Sequence, residues 1–369
     1  MKKTLSLYIH IPFCKTICTY CAFLTFAHKN RWIPNYIDSL IQEIKLKSPK
    51  FQKYQIISIY YGGGTPSLID SIYIEKIYQT LQDHFNIKNN VEISLESNPE
   101  SLTLAKIKHY QKIGINRISL GVQSLNPRTL FKVARPHSEL QIFEALKNLQ
   151  DAQFINFGLD LIMGLPYQTL PEFKQQLKTL LKYHPTHLSA YFLNYDTPKI
   201  DLFLKDCPTE DLQIKMYEHF IKQMNINKFI HYEVSNYALS GYQCQHNQRY
   251  WNRQEYLGLG LGAHSFINET VSENSRDFDK YLENPLLLED SYQLDQETQR
   301  MDYIMLSLRQ NSGLDLNSYK KIAGEIETAK LIKSALPYLE QKKLTLIDNS
   351  IKPTEQGFLI IDKITKDLL

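Results

Sequence analysis

The sequence predicts an α/β fold whose parallel sheet is built from repeated strand–helix units. Three features carry that expectation. Short runs rich in β-branched and aromatic residues recur along the chain, stretches with helical spacing separate them, and polar residues cluster directly after several of the runs. Strands are read near residues 5–11, 56–61, 91–96, 117–122, 157–163, 187–192 and 230–234. Between the second and third, Ile74, Ile77, Tyr78, Leu81 and Phe85 fall at helical spacing and make one apolar stripe. Between the third and fourth, residues 104–112 follow the same rhythm and stop at Gly114, a residue suited to a helix C-cap. The polar clusters at 62–65, 96–98, 123–124 and 164–166 follow strand ends, where a barrel of parallel strands collects its active site.

At 369 residues the chain exceeds one typical domain. A composition of 43% hydrophobic and 22% charged residues is that of a globular protein and excludes disordered and collagen-like classes. No run approaches the roughly 18 apolar residues of a membrane span, and no signal-type apolar block opens the sequence, so a cytoplasmic protein is expected. Lysine and arginine number 42 against 39 acidic residues, and the net charge of +3 gives no field that points to nucleic acid or anionic lipid.

The pattern changes after Asn284-Pro285. Met301, Ile304, Met305 and Leu308 suit a helix, Gly313-Leu314 and more helix follow, and residues 344–351 resemble a small hairpin. This reads as an α+β, winged-helix-like C-terminal module. Its nearly balanced charge favours packing against the rest of the protein over DNA binding. The expected division is a barrel over 1–235, a connecting segment over 236–290 and a C-terminal domain over 291–369.

Three of the five cysteines, Cys14, Cys18 and Cys21, lie in one short segment after the first strand. That is no disulfide framework. The spacing lets three thiolates converge on one centre, and such soft ligands suit an iron–sulfur cluster or zinc. On a four-iron cluster they would leave one iron open to a small molecule. A structural zinc completed by His10 or His28 is the other metal reading, although such sites usually bring two separated ligand pairs and this chain has no second cysteine pair.

Five ordered motifs resemble the radical S-adenosylmethionine (SAM) superfamily. They are the cysteine triad with Tyr20 before its last member, Gly62-Gly63-Gly64-Thr65-Pro66, Glu96-Ser97-Asn98-Pro99, Gly121-Val122-Gln123-Ser124, and residues 160–166 from Asp160 to Pro166. Within it the chain is similar to the group of oxygen-independent coproporphyrinogen III oxidases (HemN), and 351–357 resembles that group's C-terminal domain. The resemblance implies a partial (β/α)6 TIM-like barrel, a 4Fe-4S cluster on the three cysteines, and SAM on the open iron. There one electron would cleave SAM to methionine and a 5′-deoxyadenosyl radical, the cofactors carrying the hard chemistry. It also implies a SAM site made by Tyr8 beside the cluster, Gly63, Gly64 and Thr65 at the amino group, and Glu96, Gln123 and Asp160 along the strand ends. Arg135 would stand at the carboxylate, where a guanidinium fork fits. A bulky residue at Gly64 is then expected to weaken SAM binding while sparing the iron.

The oxidases carry a fourth cysteine two residues after the third, where this chain has Ala22-Phe23 after Cys21. That departure resembles the sister branch, the HemW haem chaperones, as does the segment from Gln245 to Trp251, which looks like their HNxxYW motif. The resemblance implies haem binding, with His246 in a flexible polar segment as the axial ligand and Asn247, Tyr250 and Trp251 around the porphyrin. It further implies a haem-accepting membrane or respiratory protein as partner and an electron donor for the cluster, and no nucleic acid is expected. Coproporphyrinogen oxidation in porphyrin metabolism and a non-catalytic zinc-stabilised module are the alternatives. Cys207 and Cys244 read as small buried residues. The glycines of 258–262 are no dinucleotide fingerprint, because no strand–turn–helix with a later acidic residue surrounds them.

Overall fold

The computed structural model describes residues 3–195 and 199–369. Among these, twelve strands form one sheet: β1 (Lys3–Ile11), β2 (Tyr54–Gly63), β3 (Asn86–Ser97), β4 (Arg117–Gln123), β5 (Phe157–Met163), β6 (His187–Phe192), β7 (Ile230–Glu233), β8 (Asn236–Ala238), β9 (Tyr256–Leu259), β10 (His264–Ile267), β11 (Thr270–Asn274) and β12 (Leu288–Gln293). Their spatial order is β12-β11-β10-β9-β1-β2-β3-β4-β5-β6-β8-β7. β1 to β6 pair in parallel, making an open, partial (β/α)6 barrel, and β9 extends the parallel run beyond β1.

β1 shows why these residues make this sheet. Leu5, Leu7, Ile9 and Ile11 alternate on one face and are fully buried, while Ser6, Tyr8 and His10 take the other. The helices that cover the apolar face include Ile33–Lys47, Ser71–His84 and Leu104–Ile113. The second starts where the Asp70 carboxylate accepts the Ile72 N–H at 3.1 Å, and its predicted stripe buries Ile74, Ile77 and Leu81. The third ends at Gly114 with φ of 99°, the left-handed cap that its sequence predicts.

Two differences from the expected pattern affect the site. The run at 230–234 is no further barrel strand. Val234 and Ser235 alone separate β7 from β8, which is too short for a crossover, so the pair forms an antiparallel edge. Residues 236–290, read as connection, contribute β8 to β11 and the start of β12. β9 and β10 are short and carry glycine or polar residues where β-branched ones would have signalled strands.

Beyond β12 a second apolar core gathers Ile304, Leu308, Leu331, Leu344, Ile351 and Ile364 between helices and a three-stranded sheet. Strands Leu344–Ile347 and Ser350–Pro353 form the hairpin, turning at Asp348 and Asn349, both at positive φ as a type I′ turn requires. The Val234 N–H donates to the Arg309 carbonyl (2.8 Å) and Gln310 Nε2 to the Trp251 carbonyl (3.0 Å), tying this module to the sheet. Among the described residues no helix is long and apolar enough to cross a membrane.

Candidate functional site

The cysteine loop leaves β1 and folds back on itself, residues 13–14 pairing with 26–27. The Cys21 N–H donates to the Cys18 carbonyl (3.1 Å), and Cys14 Sγ lies 3.6 Å from Thr65 Oγ1. Cys14 and Cys18 are buried and Cys21 half-buried. Burial pushes the Cys14 and Cys21 thiols up, and the neighbouring cysteines add to it. Binding a metal there therefore displaces protons, and the charge of three thiolates needs a cationic centre. Among the described residues no three His, Cys, Asp or Glu side chains converge closely enough for one metal ion, and this holds for the cysteine triad as for a zinc site with His10 or His28. The donor set, three thiols on one loop and no second cysteine pair, is the kind that holds an iron–sulfur cluster with one iron left open.

Gly64 sits directly behind that loop. A Cβ there would lie 2.7 Å from the Phe13 carbonyl oxygen and 2.9 Å from Cys14 Sγ. This corrects the expectation that Gly64 can be enlarged without touching the iron site. Gly64→Val is expected to cut cluster content along with SAM binding, checked by iron and sulfide analysis after reconstitution.

A cavity of about 350 Å³ opens over the C-terminal ends of β3 to β6 and is lined by Tyr20, Cys21, Glu96, Gln123, Asp160 and Tyr191, among others. That size suits a small cofactor. Glu96 accepts from Tyr60 Oη (2.8 Å) and from the Gly63 N–H (3.1 Å). Ser119 Oγ stands 3.0 and 3.1 Å from the two Asp160 carboxylate oxygens. Arg135 sends Nη2 to Asn98 Oδ1 (2.8 Å) and the Gly121 carbonyl (2.7 Å), while Nη1 lies 3.5 Å from Cys18 Sγ. The fork thus joins the cysteine loop to the cavity. Gln123 holds a left-handed φ of 64°, and its buried Oε1, like Arg135 Nε, has no hydrogen-bond partner. Unpartnered polar atoms beside two carboxylates and a guanidinium fit the polar groups of SAM.

Burial raises the Glu96 carboxyl to about 7, against the opposing hydrogen bonds from Tyr60 and Gly63. A carboxyl raised in the folded state stabilises below its unfolded pKa and loses that contribution as pH climbs through the folded value. The protein is therefore expected to lose stability between about pH 4.5 and 7 on this account. Glu96→Gln should flatten that slope, with water in the cavity keeping the effect under roughly 3 kcal/mol. Urea unfolding of both proteins at pH 5 and pH 8 measures it.

A second cavity, of about 540 Å³, lies on the other side of the cysteine loop, and Ala22 and Phe23 line both. Tyr8 departs from its expected place at the SAM site: it lines this second cavity and not the first, its hydroxyl 3.0 Å from His10 Nδ1. Tyr250 lines it as well, but Asn247 and Trp251 do not.

His246 corrects the expectation of a ligand in a flexible polar segment. Residues Gln245–Trp251 form a helix, and His246 is fully buried. Its Nδ1 shares a hydrogen bond with Ser58 Oγ (2.9 Å) and its Nε2 with Tyr250 Oη (2.8 Å), so both ring nitrogens are engaged within the protein. Burial lowers its pKa to about 3, with help from Arg249 and Arg117. The helix is held by Glu92, which accepts the Gln245 and His246 N–H groups at 2.9 and 3.0 Å. That cap comes from β3, over 150 residues away, and no local sequence signal reveals it. Cys244, directly before the helix, is buried with Sγ 3.7 Å from Glu92, and Cys207, expected buried, is half-buried in the apolar cluster that also takes Tyr20.

Sequence reasoning missed Asn98 as a positioning residue. It stands in the motif of residues 96–99, yet its role shows only in space, where its amide accepts from Arg135 and donates to Thr65 Oγ1 (3.2 Å). Tyr60 and Ser119 were missed for the same reason, since each looks like an ordinary strand residue.

The family model of the radical SAM superfamily matches residues 8–180. A heme chaperone HemW of Lactococcus lactis is 31% identical over 100% of this chain and 99% of its own length. The Bacillus subtilis heme chaperone HemW is 30% identical over 97% of each chain. Among solved structures, the Escherichia coli coproporphyrinogen III oxidase HemN, a radical SAM enzyme, superposes with a TM-score of 0.87 over 100% of this chain and 90% of its own, at 24% identity. The fold is shared with that oxidase, and by its end-to-end identity with the chaperones the chain belongs to the HemW family of radical SAM proteins.

Proposed function

We propose that this chain is a haem chaperone. It carries a 4Fe-4S cluster on Cys14, Cys18 and Cys21, binds SAM along Gly63, Gly64, Thr65, Glu96, Gln123, Arg135 and Asp160, and hands haem to haem-requiring proteins. The observation that carries this reading is the pair of cavities divided by the cysteine loop at Ala22 and Phe23, one holding Glu96, Asp160 and the unpartnered Gln123, the other walled by Tyr250, Tyr256 and Phe266. The relatives' name, heme chaperone, supports the cargo. When bound, the cluster supplies the electron that cleaves SAM. The protein's own part is positional. Arg135 spans the distance between Cys18 and the cavity, Asn98 fixes its fork, and Glu96 and Asp160 face the ligand as acceptors. Haem-requiring membrane or respiratory proteins would be the acceptors, and a separate reductant would feed the cluster.

Two reactions on reconstituted protein test this reading. Haem-loaded chain mixed with the apo form of a haem protein should transfer its haem, seen as the acceptor's spectrum. Incubation with coproporphyrinogen III, SAM and a reductant should yield no oxidised porphyrinogen product. Product without haem transfer would favour the oxidase and overturn the proposal.

A further inference from the structure

Three histidines stand in or beside the aromatic cavity, and they differ in what their rings can still bind. His10 is buried, with Nδ1 on the Tyr8 hydroxyl (3.0 Å) and Nε2 on the Leu24 carbonyl (2.9 Å). His246, behind Tyr250, is likewise engaged at both nitrogens. His264 lines the cavity with its side chain 53% exposed. Its Nε2 is 3.6 Å from the Glu273 carboxylate, and its Nδ1 has no hydrogen-bond partner among the described residues.

We infer that His264 is the residue that ligates the iron of haem in this cavity, an inference that rests on the haem-handling function proposed above. Four observations carry it. His264 and Glu273 are directly opposed in the β10–β11 ladder and so share one face. A carboxylate facing an imidazole favours one orientation of the ring. The walls are Phe23, Tyr250, Tyr256, Phe266 and Val271, which offer flat apolar faces to a macrocycle. Phe23 is 74% exposed, and a ligand in the cavity would cover it.

The rim carries two guanidinium groups, both paired with carboxylates that a ligand's own carboxylates would have to displace. Arg276 is 57% exposed at the cavity edge, with Nε 3.7 Å from Glu273. Arg253 pairs with Glu269 (2.6 Å) and Asp302 (3.9 Å), while its buried Nε makes no hydrogen bond. Guanidinium groups at the mouth of a cavity walled partly by aromatic rings suit a planar ligand that carries carboxylates at one edge, as haem does. The turn that presents His264 is fixed to the cysteine loop. Gly262 takes φ of 63°, and a Cβ there would lie 2.4 Å from the Leu24 side chain. The glycine run before His264, which dinucleotide binding does not explain, thus brings an imidazole to the cavity beside the cluster.

The test is a haem titration of the reconstituted full chain, followed by absorbance, with iron and sulfide content measured in parallel. Because His264 is exposed, His264→Gly and His264→Ala should fold and keep their cluster. Both should lose the imidazole-ligated spectrum and bind haem about 10- to 100-fold more weakly, and added imidazole should restore the spectrum in His264→Gly. Glu273→Gln should shift the spectrum while leaving haem bound. Wild-type affinity and spectrum in His264→Ala would overturn the assignment of this residue and leave the haem function standing. Wild-type protein that takes up no haem would overturn the function itself.

Discussion

Replacing Cys14, Cys18 or Cys21 by Ala is expected to abolish the cluster. The structure holds the three thiols on one short loop closed by the pairing of 13–14 with 26–27. Cys244 stands against Glu92, and Cys207 packs in the apolar cluster that also takes Tyr20, outside the loop itself. With three thiolates the cluster keeps one open iron. With two, it loses a fixed corner that no nearby group replaces. Each single variant should reconstitute with almost no sulfide and without the broad visible absorbance of thiolate-to-iron charge transfer. Folding should survive in Cys21→Ala above all, because Cys21 is only half-buried and its side chain packs little. A triple variant that reconstitutes like the wild type would show that the iron lies elsewhere.

The second large effect is structural and falls on His246. His246→Ala removes a fully buried ring and strands two hydroxyls, those of Ser58 and Tyr250, without their partner. A lost ring of this size together with buried unsatisfied groups costs on the order of 3 kcal/mol. It also frees Tyr60, which stacks on His246 at 5.0 Å between ring centres, and the Tyr60 hydroxyl that holds Glu96. The melting temperature should drop by several degrees, while the protein that remains folded binds haem with an unaltered iron-ligand spectrum. A spectrum that loses imidazole ligation in a variant of unchanged melting temperature would contradict this account and restore His246 as the ligand.

The contrast between the two sites shows what a sequence discloses. The cysteine triad, the glycine triplet and the polar residues at strand ends were legible because each motif is local and each follows its strand directly. β1, β5 and β6 were legible for a related reason, since their alternating or continuous apolar runs face helices that bury them. The HNxxYW segment was legible as a motif and misleading as a geometry. Its helix depends on Glu92, its histidine on Ser58, and its cavity on β10 and β11, all of which meet it only in the folded chain. β9 and β10 carry no strand signal of their own, so nothing local gives the histidine at the start of β10 a role. Asn98 and Tyr60 were likewise visible as letters and not as partners, because long-range hydrogen bonds leave no periodicity.

The central claim is that one chain holds an iron–sulfur cluster on the cysteine loop and haem in the cavity beside it at the same time. Anaerobic reconstitution followed by haem titration of the same sample tests it most directly. The account predicts equal iron and sulfide in the cluster, one haem bound per chain, and a cluster spectrum that persists as the haem spectrum grows. Zinc in place of iron and sulfide, or a reconstituted protein that takes up no haem, would contradict it.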